Sequence, residues 1–131
     1  MKVKTISKIK FDDRAIDKIV VDDLDFSFVD KNGNNKFRRQ IIIPFDVPKR
    51  SFLKGLKLCI QRDTGSKLFW LLFWFQGKSY VYSVGKRIPG SWGVSEVEDK
   101  LLPIVRSHTN DKGYWIKSPI QSEIDEAKKT R

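Results

Sequence analysis

Residues 55–86 read GLKLCIQRDTGSKLFWLLFWFQGKSYVYSVGK, and this stretch decides the fold. Apolar and polar side chains alternate over 56–61 and again over 79–84, which is typical of strands with one buried face. The aromatic run between them, residues 68–76, is too short for a convincing helix. The DTGS and GK segments that separate the three runs are turn formers. The stretch therefore predicts an antiparallel meander of three strands.

A helix is predicted directly after this meander. Residues 89–93 break the strand pattern, and Ser95 is a suitable N-cap with acidic residues in the turn that follows. Val97, Leu101 and Ile104 then recur at helical spacing, so they present one apolar face to the sheet. The strand residues that we expect to meet this helix are Leu56, Leu58, Ile60, Phe69, Leu71, Phe73, Phe75, Tyr80, Tyr82 and Val84.

The flanking segments have weaker patterns. Two strand-like runs, 24–29 and 37–43, are joined by a turn at Asn32-Gly33 and predict an N-terminal β-hairpin. The sequence thus predicts an α+β fold: a three-stranded antiparallel sheet with one helix packed on one face, plus the N-terminal β-hairpin extension. We divide the chain into that extension (1–52), a β-β-β-α domain (53–108), and a linker or start of a next domain (109–131).

Charge and composition favour a polyanionic partner. The chain has 26 basic and 16 acidic residues, and residues 51–90 alone carry seven basic side chains against Asp63. Such a positive field raises the rate of encounter with nucleic acid. The single Cys59 excludes an intrachain disulfide, no signal peptide is visible, and the longest apolar run is far short of a membrane span. We therefore expect a cytoplasmic protein with no membrane partner.

Enzyme chemistry has little support in the sequence. The only histidine is His108, and no P-loop, dinucleotide fingerprint or zinc-ligand cluster occurs. The aspartates near residues 12–25 have the spacing of a helix cap and a loop rather than of converging metal ligands. We expect no catalytic residues, no metal and no cofactor in this chain.

The order of short motifs resembles the N-terminal, arm-type DNA-binding domain of phage and integrative-element tyrosine recombinases (integrases). The resemblance spans residues 53–106. The motifs that carry it are Gly55-Leu56, Gly65-Ser66-Lys67-Leu68-Phe69-Trp70, Gln76-Gly77-Lys78, Val84-Gly85, Ile88-Pro89 and Val94-Ser95-Glu96-Val97. The resemblance implies sequence-specific binding of double-stranded arm-site DNA, as one module of a protein that carries out DNA integration and recombination for a bacteriophage or mobile element.

In that family the sheet face opposite the helix enters the major groove, which is wide enough for a β-ribbon. Further recombinase domains or protomers are additional partners that the resemblance implies. Basic residues in turns and strand ends are expected to contact phosphates, and polar residues on the open face to contact bases or backbone. The expected DNA contacts are Lys57, Gln61, Arg62, Lys67, Gln76, Lys78, Ser79, Lys86 and Arg87, with a second cluster at Lys36, Arg38 and Arg39.

One feature departs from the family pattern. The second strand of the family usually carries an Arg-aromatic-Arg triplet, whereas residues 72–74 are Leu-Phe-Trp. A face containing Trp70, Leu72, Trp74 and Val81 is too apolar to read bases by paired hydrogen bonds. Three alternatives follow: the N-terminal hairpin covers the face, another protein or recombinase domain docks on it, or its aromatics stack on unpaired bases as in single-strand binders. The docking alternative corresponds to an accessory protein of a phage or mobile element.

Overall fold

A computed structural model describes residues 8–48 and 52–129. The fold is α+β, with a five-stranded mixed sheet, a two-stranded sheet and three helices. In chain order the elements are β1 (Ile9–Lys10), α1 (Asp13–Asp17), a single 3-10 turn (Val21–Asp23), β2 (Ser27–Val29), β3 (Asn35–Phe37), β4 (Gln40–Asp46), β5 (Leu56–Gln61), β6 (Lys67–Phe75), β7 (Lys78–Lys86), α2 (Val94–His108) and α3 (Pro119–Lys129).

The predicted meander is present as β5, β6 and β7, which pair antiparallel in sequence order. The β6–β7 connection is tight because Gln76 and Gly77 both have positive φ, 53° and 77°, as the favoured two-residue hairpin turns require. A β-bulge interrupts the pairing near Phe69 and Trp70. Beyond the bulge, Lys86 pairs with Leu68 and lies on the face opposite the helix.

The prediction of a three-stranded sheet is wrong, because the sheet has five strands in the order β1-β4-β5-β6-β7. The predicted hairpin strand 37–43 is divided between two partners. Its first part belongs to β3, which pairs only with β2, while the remainder is β4, which pairs antiparallel with β5 through Ile42 and Cys59. The change of partner occurs at Arg38-Arg39. Strand β1 then adds parallel to the other edge of β4.

The core lies between this sheet and the helices. Every predicted core residue of the meander and of α2 is buried or packs against the buried cluster. The N-terminal segment contributes to the same core through Ile9, Ile16, Leu24, Phe26, Ile43 and Phe45. Because β4 and these side chains come from the predicted extension, the sheet and its core cross the expected boundary at residue 52.

The start of α2 differs from the prediction. Gly93, not Ser95, is the N-cap. The backbone N–H of Val94 donates to Asp13 Oδ1 at 3.0 Å, and the N–H of Gly93 donates to Glu96 Oε1 at 2.7 Å. A Cβ at Gly93 would lie 2.2 Å from Asp13 Oδ1, so glycine leaves the space in which a carboxylate from α1 caps α2.

Much of the predicted linker packs against the domain. Trp115 contacts Phe73 with ring centroids 4.9 Å apart, and the Tyr82 hydroxyl donates to Glu123 on α3. Burial and this carboxylate raise the pKa of Tyr82. The C-terminal part of this segment forms α3, and residues 130 and 131 lie outside the described part. None of the helices in the described ranges is long and apolar enough to cross a membrane.

Candidate nucleic-acid interface

The sheet face opposite the helices is open to solvent. Its exposed apolar side chains are Trp74 (66% exposed), Ile42 (48%), Val81 (46%) and Leu72 (38%), and Trp70 is half-buried. Of the three alternatives, the first is met only in part: the N-terminal segment does not cover this face, but its strand β4 lies beside β5 and extends the sheet. A contiguous apolar patch of this kind marks an interaction site.

The open face carries mainly positive charge. The polar residues of its four long strands that point to this side are Gln40, Asp46, Lys57, Gln61, Ser79, Ser83 and Lys86, as their register and alternation with the apolar residues show. The carboxylate among them, Asp46, lies at the end of β4 beside β1 and forms an ion pair with Lys8 at 3.8 Å. Lys57 pairs with Trp70 and lies near the centre, while Lys86 lies in the row of Leu68 and Cys59. Neither lysine forms an ion pair with any residue of the described ranges.

Further cations lie near the two ends of the face. Arg39 precedes β4 and Arg62 follows β5, and the backbone N–H of Arg62 donates to the Arg39 carbonyl at 2.8 Å, so both lie at the same end of the sheet as Lys86. The Arg62 guanidinium lies over the Phe37 ring at 4.8 Å. At the opposite end Lys78 pairs with Phe75 and therefore points to the helix side; the exposed cation near that end is Lys54, which precedes β5. The face is thus an apolar centre between two basic ends.

Two of the expected DNA contacts are engaged inside the protein. The Arg87 side chain, only 8% exposed, forms paired hydrogen bonds with the Asp17 carboxylate at 2.7 and 2.9 Å and a third with the Trp92 carbonyl at 2.9 Å. This contact raises the pKa of Arg87 and lowers that of Asp17. Lys67 Nζ donates to the Ile16 carbonyl at the end of α1 at 2.7 Å, and burial lowers its pKa. Both cations hold α1 against the sheet.

The other expected contacts remain at the surface. Lys36 forms an ion pair with Asp30 at 3.2 Å, and the Arg38 guanidinium lies over the Phe28 ring at 5.4 Å. Gln61 Oε1 accepts a long hydrogen bond of 3.3 Å from Thr64. Gln76 and Ser79 are exposed beside the β6–β7 turn. Within the hairpin cluster, therefore, Arg39 is the cation whose side chain has no recorded partner in the described part of the chain.

Sequence reasoning missed a groove at the end of the open face nearest Lys78. It has a volume of about 770 Å³ and lies between the start of β5, the end of β6 and residues 113–115. Lys54, Tyr114 and Trp115, which were not predicted as site residues, line it together with Lys57 and Trp74. The sequence feature that could have indicated this groove is Tyr114, whose aromatic ring lies in a Gly-Tyr-Trp turn and has no hydrophobic core to pack into.

Catalytic groups are not brought together at this surface. His108 is not in a loop but ends α2, where its Nε2 lies 2.8 Å from Ser122 Oγ and its Nδ1 lies 2.8 Å from the Ile104 carbonyl. Neither partner of this Ser–His pair lines the groove, and the pair joins α2 to α3. Cys59 is buried, which raises its thiol pKa. No group of three possible metal ligands occurs among the residues described.

Comparison with known proteins gives no match to this chain from any family model, curated protein or solved structure.

Proposed function

We propose that this chain binds double-stranded DNA through the open face of its sheet, as the N-terminal module of a site-specific tyrosine recombinase. The observation that carries the proposal is the charge of that face: Lys57 and Lys86 point from it without an ion pair in the described ranges, Arg39 and Arg62 lie at one end and Lys54 near the other, and the carboxylate of Asp46 lies at the margin beside β1. A polyanion is the partner that this arrangement attracts, since lysines that neutralise its phosphates release the counterions condensed around them.

The dimensions of the face suit a duplex. Strand β7 runs from Lys78 to Lys86, and at about 3.3 Å per residue its two terminal lysines lie roughly 25 Å apart. At about 3.4 Å per base pair this distance corresponds to roughly seven base pairs. Cations lie near both ends of this length, Lys86 with Arg62 at one and Lys54 at the other, where they can contact phosphates while the centre of the face meets the groove between them.

The apolar centre defines how the duplex is read. Leu72 and Val81 pair across β6 and β7, with Trp70 and Trp74 on either side. Such side chains contact thymine methyl groups in the major groove, whereas hydrogen bonding to base edges falls to Gln61, Ser79 and Ser83. We therefore expect a preference for thymine-containing sites and a weaker dependence on guanine contacts than an arginine-lined sheet would have.

The test is a fluorescence-anisotropy titration with duplexes from the flanks of the chain's own gene, at about 50 and about 200 mM salt. Lys57→Ala and Lys86→Ala are compared with Lys128→Ala, which removes an exposed lysine from α3 on the other side of the sheet. Each open-face variant should weaken binding and reduce the salt slope by about 1, while the control should not. Equal, weak binding by all three proteins would refute the proposal.

A second candidate, docking of a protein or of another recombinase domain, is favoured by the exposure of Trp74 and its apolar neighbours. A dry apolar contact responds little to salt, whereas phosphate contacts respond steeply. Substitution of Trp74 by serine would then abolish binding of the partner with little change in the salt dependence. The same titration series therefore separates the two functions.

A further inference from the structure

The groove beside the β6–β7 turn combines the two features that recognise a nucleotide. Lys54, Lys57, Trp74, Gln76, Tyr114 and Trp115 are among the residues that line it, and no acidic residue of the described ranges does. Its volume of about 770 Å³ lies within the range of roughly 300–1,000 Å³ that small-molecule sites occupy. The walls are aromatic and the charges are positive, which together fit a flat ring attached to a phosphate.

The aromatic walls differ in how they are held. Trp115 is half-buried against Phe73, so it forms a fixed wall. Trp74 and Tyr114 are 66% and 68% exposed, and in the part of the chain that the structure describes neither ring contacts another aromatic ring. Two large exposed rings on one groove leave apolar surface in water that a stacked base would cover.

The turn that carries Tyr114 is ordered by its own hydrogen bonds. Asn110 Oδ1 accepts from the backbone N–H groups of Lys112 and Tyr114 at 2.9 and 3.0 Å, and the Asn110 N–H donates to the Tyr114 carbonyl at 2.9 Å. A bridge between Thr109 and Trp115 closes the turn. The ring is thus presented from a fixed backbone, which reduces the entropy lost when a ligand stacks on it.

The two lysines at the groove favour an anionic ligand. Lys54 is exposed and Lys57 is half-buried at the groove, and neither forms an ion pair with a residue in the described ranges. An uncharged aromatic ligand would leave these ammonium groups without a partner, and an apolar peptide would in addition bury Lys57. A nucleotide provides both an aromatic base to stack on the rings and a phosphate to pair with the lysines.

We propose that this groove binds an unpaired nucleotide of DNA, so that the protein recognises a junction between duplex and single strand. The duplex lies along the open face and the first unpaired base enters the groove, where it stacks on Tyr114 and Trp74. This inference rests on the proposed duplex binding, since the groove adjoins the open face at Lys57, Leu72 and Trp74. It adds a ligand that contact with the sheet alone does not require.

The experiment compares three labelled probes by anisotropy: a blunt duplex, the same duplex with a short single-stranded thymidine tail, and the thymidine strand alone. Tyr114→Ala removes the ring, Tyr114→Phe keeps it, and Ile116→Ala is a matched control, an exposed apolar residue two positions further along the same segment. Thermal unfolding of each variant verifies that the fold is retained.

The tailed duplex should bind the unaltered protein at least about 5-fold more tightly than the blunt duplex, the effect of stacking one base. Tyr114→Ala should abolish this difference and leave blunt-duplex binding unchanged, while Tyr114→Phe and Ile116→Ala should preserve it. Equal affinity for tailed and blunt probes, or equal behaviour of the alanine and phenylalanine variants at Tyr114, would overturn the inference.

The failures of the two proposals are distinguishable in this experiment. If no duplex binds but the thymidine strand does, in a Tyr114-dependent manner, the groove does bind an unpaired nucleotide, while the duplex proposal and the recognition of a junction both fail. If the blunt duplex binds and the tail adds nothing, the duplex proposal stands and the groove inference fails.

Discussion

Lys86 and Arg87 are adjacent cations with opposite environments, and separating them is the sharpest test of the open face. Lys86 is exposed on that face, whereas the Arg87 guanidinium is buried between α1 and the segment that leads into α2. We predict that Lys86→Ala weakens DNA binding without loss of stability. We predict that Arg87→Ala lowers stability, and that the protein that remains folded binds DNA as the unaltered chain does.

The magnitude for Arg87→Ala follows from its contacts. The substitution removes two charge-assisted hydrogen bonds to Asp17 and one bond to the Trp92 carbonyl. Hydrogen bonds to charged groups contribute about 1.5–3 kcal/mol each when desolvated. Asp17 is 39% exposed and regains water once the guanidinium is gone, so we expect a total loss of about 2–3 kcal/mol rather than the full sum. The melting temperature should fall by roughly 5–12 °C.

Urea unfolding followed by tryptophan fluorescence measures the stability of both variants, and anisotropy at a temperature well below both midpoints measures their binding. Lys86→Ala should unfold within about 0.5 kcal/mol of the unaltered chain, as expected for an exposed side chain. The reasoning would be refuted if Arg87→Ala were equally stable, or if it reduced DNA affinity as much as Lys86→Ala while fully folded.

Three further predictions concern the fold. Gly85→Ala should destabilise the protein by about 1–3 kcal/mol in urea unfolding, because a Cβ there would lie 2.3 Å from the Trp92 ring. A shorter side chain at Trp92 should recover part of this loss. If the two substitutions instead lowered the free energy of unfolding additively, the clash would be contradicted. Tyr82→Phe removes the hydroxyl that donates to Glu123 and should lower the free energy of unfolding by about 1 kcal/mol, with faster hydrogen exchange in α3. Unchanged exchange would show that this hydrogen bond does not hold α3 in place. Asp17→Asn should be less stable than the unaltered chain at neutral pH but nearly equal to it well below pH 4. The folded pKa of Asp17 is depressed, so its contribution is complete above about 4, the unfolded value, and is lost as the pH falls through the folded value; a stability difference that persists in acid would contradict this.

The meander was predictable because its alternation reports burial directly. Each of β5, β6 and β7 has one apolar face with period two, and the glycine-containing segments between them have no other structural use. The additional strands were not predictable for specific reasons. Strand β1 has only two residues, and β4 contains Pro44, which lacks a backbone N–H and argues against a strand inside a sheet.

The roles of individual cations were harder to predict from the sequence than the strands. Lys67 and Arg87 resemble surface residues in the sequence, yet their partners, Ile16 and Asp17, lie 51 and 70 positions away. Local pattern cannot reveal such pairs, since they exist only after α1 packs on the sheet. The apolar composition of the open face was visible in the sequence. Its exposure was not, because it depended on whether the N-terminal strand joined the edge of the sheet or covered its face.

The two edges of the sheet differ in how well they resist pairing with another copy of the chain. Strand β7 is nine residues long at one edge, a length that would template an intermolecular sheet if it were flat and regular. Its bulge interrupts the regular spacing, and Lys100 Nζ from α2 donates to the Val84 carbonyl at 2.8 Å. At the opposite edge β1 covers only Phe45 and Asp46, and Pro44 leaves the rest of β4 without one backbone N–H donor. These devices allow an apolar, exposed sheet to remain available to a ligand without recruiting a second sheet of its own kind.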